Sequence, residues 1–178
     1  MTDSIKTLTP WDEQGELEVL TFDLAGETLA LEAVLVQEIV DLLPETAVPG
    51  ATPMVGSVVN FRGKIIPIAD LRLAFGMPAA PKAKEEGTVD SRIVVIELNL
   101  DGETLQVGLR TDRVHEVTTL CRQSSEEPPM VGMRWRRDFV RELVRREGSV
   151  VLLPDLPAIF RSPDAPARTA DPQLTLVS

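Results

Sequence analysis

Apolar residues alternate with polar ones through most of this chain, in short runs separated by turn residues. Leu20, Phe22 and Leu24 share one face of a strand over Leu17–Leu24. Ala25-Gly26-Glu27-Thr28 then turns the chain into a second strand beginning at Leu29–Leu31. The clearest strand is Arg92–Leu100, centred on Ile93-Val94-Val95-Ile96. Asp101-Gly102 is a strong hairpin turn, and Leu105, Val107 and Leu109 alternate inward on the partner strand. Val114–Leu120 predicts another strand, and Phe139–Arg145 with Ser149–Leu153 a last hairpin around Glu147-Gly148. Val36, Ile39, Val40 and Leu43 fit a helical stripe as well as a strand, with their β-branched content favouring the strand.

The most informative run is Asn60-Phe61-Arg62-Gly63-Lys64-Ile65-Ile66-Pro67-Ile68-Ala69-Asp70-Leu71-Arg72. Val58 and Val59 lead into a turn at Arg62-Gly63, and Ile65, Ile66 and Ile68 form the return strand. Pro67 cannot donate to a ladder, which puts this strand at a sheet edge or beside a bulge. Asp70 can cap a short helical turn with Leu71 and Phe75 at i,i+4, ended by Gly76 and Pro78. Arg62 would sit at the hairpin tip, a long cation between an aromatic ring and a glycine.

The chain also repeats itself. Gly26-Glu27-Thr28-Leu29 returns as Gly102-Glu103-Thr104-Leu105, and Val36-Gln37-Glu38-Ile39 returns in kind as Val114-His115-Glu116-Val117. Gly63, Asp70, Leu71 and Phe75 return at the same internal spacing as Gly148, Asp155, Leu156 and Phe160. Short strands, tight turns and two similar halves predict an all-β fold of two small barrels sharing a cleft. The first unit spans about 16–76, a polar linker 77–90, and the second unit about 91–160. Residues 1–15 read as a loose arm, and the Pro-, Ala- and Asp-rich 161–178 as a disordered tail.

Composition narrows the chemistry. With aromatics at 4% and no tyrosine, the core has to be built from Val, Leu and Ile. A formal charge of −10 argues against nucleic acid or an anionic membrane surface as partner. The basic run Arg134, Arg136, Arg137, Arg141, Arg145, Arg146 is better read as a solvated, partly paired strand face. No apolar run approaches the roughly 18 residues of a membrane span, and the N-terminus lacks the basic-then-apolar order of a signal peptide. A cytoplasmic protein is therefore expected. Cys121 is the single cysteine, expected as a small buried hydrophobe, and His115 the single histidine, expected on a strand surface. No nucleophile motif, metal-ligand spacing, Walker loop or dinucleotide fingerprint is present, so the expectation is a non-catalytic protein with no cofactor and no metal.

The run from Val58 to Arg72 resembles the signature of the CheW family, the chemotaxis adaptors that join receptors to the histidine kinase CheA. It has the valine-rich strand, N-[LF]-R-G, an aliphatic run containing proline, and D-L-R in order. The similarity covers about Glu16 to Phe160. Leu20–Leu24 resembles the opening strand and Val36-Gln37-Glu38-Ile39 the V-x-E-I element. Arg92–Val95, Val107-Gly108-Leu109 with Asp112-x-Val114, and Pro128-Pro129 to Phe139 resemble later elements.

The resemblance implies two five-stranded β-barrels side by side. It also implies a scaffold coupling methyl-accepting chemoreceptors to the regulatory domain of a CheA-type kinase, recruited to membrane-anchored arrays. It nominates Val36, Glu38 and Arg62 as the contact to the receptor's cytoplasmic hairpin tip. An apolar contact flanked by opposite charges can hold a helical hairpin in one register. The alternatives are a CheW-like adaptor of another sensory pathway, such as motility or biofilm control, and a small-ligand-binding β-domain with its site between the barrels. The chain departs from the family pattern at Gly56-Ser57, where glycine normally stands directly before the valine strand, at Glu142 and at Pro154.

Overall fold

Four two-residue turns set the registers of the fold. Ala25-Gly26, Arg62-Gly63, Asp101-Gly102 and Glu147-Gly148 each place both residues at positive φ, with first residues at 51–54° and glycines at 78–86°. That is the type I′ geometry, whose twist matches that of the flanking strands. The computed structural model describes residues 11–51, 55–77, 90–127 and 136–161. Among them are twelve strands. The first six are β1 (Glu16–Leu24), β2 (Glu27–Glu32), β3 (Val36–Asp41), β4 (Thr46–Ala47), β5 (Ser57–Phe61) and β6 (Lys64–Ala69). The second six are β7 (Arg92–Leu100), β8 (Glu103–Thr111), β9 (Arg113–Cys121), β10 (Ser125–Glu126), β11 (Val140–Arg146) and β12 (Ser149–Pro154). Two short helices, α1 (Leu71–Phe75) and α2 (Leu156–Arg161), each follow the sixth strand of a set.

The strands form two curled sheets, in the orders β10-β11-β12-β2-β1-β9 and β3-β7-β8-β6-β5-β4. We call the first sheet A and the second sheet B. Leaving aside the two-residue edge strands β4 and β10, each sheet has five strands, the number the family resemblance implies. The repeat is visible in full, because the two orders correspond strand for strand. The sheets do not coincide with the stretches 16–76 and 91–160, however. Hairpin β1–β2 lies between β12 and β9, and hairpin β7–β8 lies between β6 and β3. Each half of the chain lends its first hairpin to the sheet of the other.

This exchange explains why β1 and β7 are so apolar. In β1, Leu20, Phe22 and Leu24 face a central core between the sheets, while Leu17 and Val19 face the inside of sheet A. In β7, Val94, Ile96, Leu98 and Leu100 face the central core, while Ile93 and Val95 face the inside of sheet B. Leu71 and Phe75 of α1 and Leu156, Ile159 and Phe160 of α2 close the central core. Phe22 is fully buried there, and truncating such a side chain to alanine costs about 3–5 kcal/mol.

Several expectations need correction. Trp11 is buried inside sheet A with Leu17, Val19 and Leu120, so the loose arm does not extend to residue 15. Residues 1–10 lie outside the described residues, as do 78–89 of the linker and 162–178 of the tail. At the linker's first residue, Met77 is buried in the central core. Cys121 is exposed, because Leu120 takes the inward position at the end of β9. Pro67 stands in β6, an interior strand rather than an edge. It sits opposite Val58 in a pair that exchanges no hydrogen bonds with β5, and the ladder to β8 starts only at Ile68. Its missing N–H therefore falls where no pairing is needed. The ambiguous segment from Val36 is strand β3.

The crossovers between the sheets are pinned by charge. Arg72, only 5% exposed, pairs through Nη2 with Asp112 in the β8–β9 connection. The other oxygen of Asp112 accepts the Ala25 N–H of the β1–β2 turn at 2.9 Å. At the β2 end, Arg141 donates to Glu32 at 3.0 Å and approaches Asp155 at 4.0 Å. Asp70 and Asp155 both cap their helices, accepting the N–H of Arg72 at 3.0 Å and of Ala158 at 3.1 Å.

Candidate functional site

The hairpin β5–β6 is tightened from within. Asn60 Oδ1 accepts the Gly63 N–H at 2.9 Å across the turn, and Phe61, 9% exposed, anchors the tip inside sheet B. Arg62 is thereby pushed outward at φ 52° with its side chain 71% exposed. Its guanidinium lies 5.1 Å from the centre of the Phe61 ring and 2.5 Å from Oε2 of Glu38 on β3. Among the described residues β3 is an edge strand, paired only with β7, so this ion pair joins the curled-over hairpin to the opposite edge of the sheet. An ion pair this exposed contributes about 0–1 kcal/mol to stability. Its value is in holding a cation and a carboxylate at fixed positions on one rim.

Val36 is placed differently. A β-bulge lies between Val36 and Glu38, where the pairing moves from Ile96 to Val95. Val36 therefore faces the central core, against which it packs half-buried, while Glu38 faces the inside of sheet B. The structure brings Glu38 and Arg62 together and sets Val36 one bulge away, on the other face of the strand. Sequence reasoning missed Ile65, which is 65% exposed next to the turn. The signal was available: with Ile66 inward, strict alternation turns Ile65 outward.

The repeat extends to this pair. Glu116 stands in β9 as Glu38 does in β3, and it accepts from Arg146 of the β11–β12 hairpin at 3.2 Å. Here the arginine is the shielded member at 27% exposure and the glutamate the open one at 60%. Sheet B presents the cation and sheet A the anion. The rest of the basic run that is described is engaged too. Arg141 binds Glu32, Arg145 binds Glu126 at 2.8 Å, and Arg136 lies 4.2 Å from the Phe139 ring. Arg134 and Trp135 lie outside the described residues. On the surface of β9, His115 Nε2 lies 2.8 Å from Asp23 Oδ1. Among the described residues no His, Cys, Asp and Glu group is arranged to hold a metal ion, and no helix is long and apolar enough to cross a membrane.

Residues 18–164 match the family description "CheW-like domain". The chain belongs to the CheW family. It is 29% identical over 167 residues to "Chemotaxis protein CheW" of Rhizobium meliloti (strain 1021), covering 94% of this chain and 99% of the relative. Its identity to "Chemotaxis protein CheW" of Bacillus subtilis (strain 168) is 26% over 160 residues, covering 90% and 92%. Among solved structures, the "scaffolding protein TtCheW" of Thermoanaerobacter tengcongensis superposes with a TM-score of 0.71 at 28% identity, covering 85% of this chain and 97% of that one. The exchanged hairpins and paired sheets described above thus belong to a CheW-family fold.

Proposed function

We propose that this CheW-family chain is a non-catalytic chemotaxis scaffold coupling methyl-accepting chemoreceptors to a CheA-type kinase. The observation that carries the reading is the Arg62–Glu38 pair. It sets a positioned cation and carboxylate at the open rim of sheet B, with an exposed apolar residue, Ile65, on the same hairpin. The receptor's cytoplasmic hairpin tip binds at Arg62, Glu38 and Val36, with the charges setting its register and Val36 giving apolar contact from the edge of the core. The protein works in the cytoplasm, recruited to membrane-anchored receptors by this contact. No reaction is assigned to it; two faces on one rigid body meet the requirement of a coupling element. The small-ligand alternative gains nothing from the space between the sheets, which the central core fills.

Titration calorimetry against a receptor hairpin-tip fragment and against the regulatory domain of a CheA from the same organism tests the reading. Saturable binding of both is expected, with Arg62→Glu weakening the receptor interaction and leaving kinase binding and fold intact. Unchanged receptor binding by that variant removes Arg62 from the contact. Failure of the wild type to bind any CheA of the organism overturns the coupling function and favours a CheW-like adaptor of another sensory pathway.

A further inference from the structure

Sheet B has a second ion pair bridging its open side. On β8, Val107 and Leu109 face the central core, so Gly108 and Arg110 face the inside of the curl. Arg110 stands opposite Ile93 and Ser57 opposite Ile68, both lining that inside. Glu45 comes from the β3–β4 connection, where Leu42 and Leu43 pack on the same cluster. Arg110 Nη2 pairs with Glu45 Oε2, and Ser57 Oγ donates to Glu45 Oε1 at 2.6 Å. Both charged side chains are mostly shielded, at 25% and 23% exposure. Arg110 Nε is buried without a hydrogen-bond partner. A shielded arginine left short of one bond is held by its carboxylate and little else.

Besides its ladder with β7 and the Asp41–Arg92 pair across that ladder, β3 is fastened to the rest of sheet B near both of its ends. Near its start, Glu38 meets Arg62; just past its end, Glu45 meets Arg110 and Ser57. We propose that Glu45, Arg110 and Ser57 form a clasp that positions the docking strand, holding β3 and its Glu38 where Arg62 can meet it. The clasp gives a use to Ser57, which stands where the family pattern has glycine, because its hydroxyl donates to the second oxygen of Glu45 and a glycine has no side chain to do so. These three act through β3 and are positioning residues. The inference rests on the docking face proposed above.

Three variants test it in the full-length protein: Arg110→Met, which keeps apolar volume in the curl, Ser57→Gly, which removes only the hydroxyl, and the exchanged pair Glu45→Arg/Arg110→Glu. Two readouts are taken: affinity for the receptor hairpin-tip fragment, and amide hydrogen exchange resolved by segment. Arg110→Met is expected to weaken receptor binding about fivefold or more and to speed exchange over 36–47, with β11 and β12 unchanged. Ser57→Gly is expected to do the same to a smaller degree, and the exchanged pair to recover part of both losses. Faster exchange spread evenly over both sheets, or unchanged receptor affinity in Arg110→Met, overturns the clasp. Should the wild type not bind the receptor fragment, the docking reading fails instead. Exchange alone then decides the clasp: unaltered protection over 36–47 in Arg110→Met defeats it, and selective loss there upholds it.

Discussion

Gly108 lies on the inward face of β8, where a methyl group has no room. A Cβ there would stand 2.6 Å from Ile68 Cδ1 and 2.8 Å from Ile93 Cγ2, against about 3.5–4.0 Å for an unstrained carbon contact. Ile68 can swing its terminal methyl aside. Cγ2 of Ile93 cannot move so easily, because it sits on a branched Cβ with a stiff χ1. Overpacking of this kind costs about 1–3 kcal/mol. Against it, alanine restricts the unfolded chain, which returns about 0.4–1 kcal/mol because Gly108 is not at positive φ. Gly108→Ala should therefore destabilise the fold by about 0–2.6 kcal/mol, lowering Tm by up to roughly 10 °C. Ile68→Val deletes the nearer of the two atoms and alone costs about 0.5–1.5 kcal/mol. Combined, the pair should cost less than the sum of the singles by about 1 kcal/mol, because the deleted methyl is the one in the way. Urea unfolding of the four proteins closes the cycle. A Gly108→Ala protein more stable than wild type, or a strictly additive double mutant, would refute this account of the packing inside sheet B.

Arg62→Asn puts a residue suited to the first position of a type I′ turn in place of one that is not. The turn's gain of roughly 1 kcal/mol offsets the lost ion pair and ring contact, each worth about 0–1 kcal/mol at such exposure. Thermal melting should thus stay within a few degrees of wild type while receptor-fragment binding falls; a large loss of stability would show that the pair holds the sheet closed. Asp70 is a pH probe. Burial pushes its carboxyl above the ordinary value, with the Arg72 N–H and the Arg72 charge working in the opposite direction. A carboxyl with a raised folded pKa contributes most below its unfolded pKa, and that contribution is lost as pH rises through the folded value. Asp70→Asn keeps an oxygen for the Arg72 N–H but carries no charge. It should match wild type near about pH 3 and be the more stable protein by about pH 7, and a stability difference that does not vary with pH contradicts this.

Much of the fold was legible because the signals were local. All four hairpin turns, the Asp70 cap and the three repeated elements can be read within a few residues of each other. The exchange of hairpins could not be read that way. β1 and β7 are apolar on both faces, so their pattern says that they are central and not which strands flank them. The parallel contacts that betray the exchange, β12 with β2 and β6 with β8, are two residue pairs each. The site was half legible. The motif supplied Glu38 and Arg62, which meet, but a one-residue bulge turned Val36 to the other face, although it stands two residues from Glu38, the spacing that plain alternation assigns to one face. Glu45 and Arg110 lie far apart in sequence, and both β5 and β8 carry other polar residues, so nothing local singles out Ser57 or Arg110. Trp11 stands between Pro10 and the polar Asp12-Glu13-Gln14, with no alternating apolar pattern around it to mark it as core.

The exchanged hairpins make β1–β2 a keystone. It stands between β12 and β9, so without it sheet A is not a smaller sheet but two unconnected pieces. The same holds for β7–β8 in sheet B. A chain cut between Met77 and Asp90 would leave two fragments, each carrying the middle of a sheet whose sides belong to the other. Such fragments have nothing complete to fold into separately and everything to gain by meeting, which makes the break a natural point for a two-part reporter of co-expression. In synthesis the same topology imposes an order. Hairpin β1–β2 leaves the ribosome before either of its flanking strands, β9 and β12, is made, so it waits for both to be enclosed.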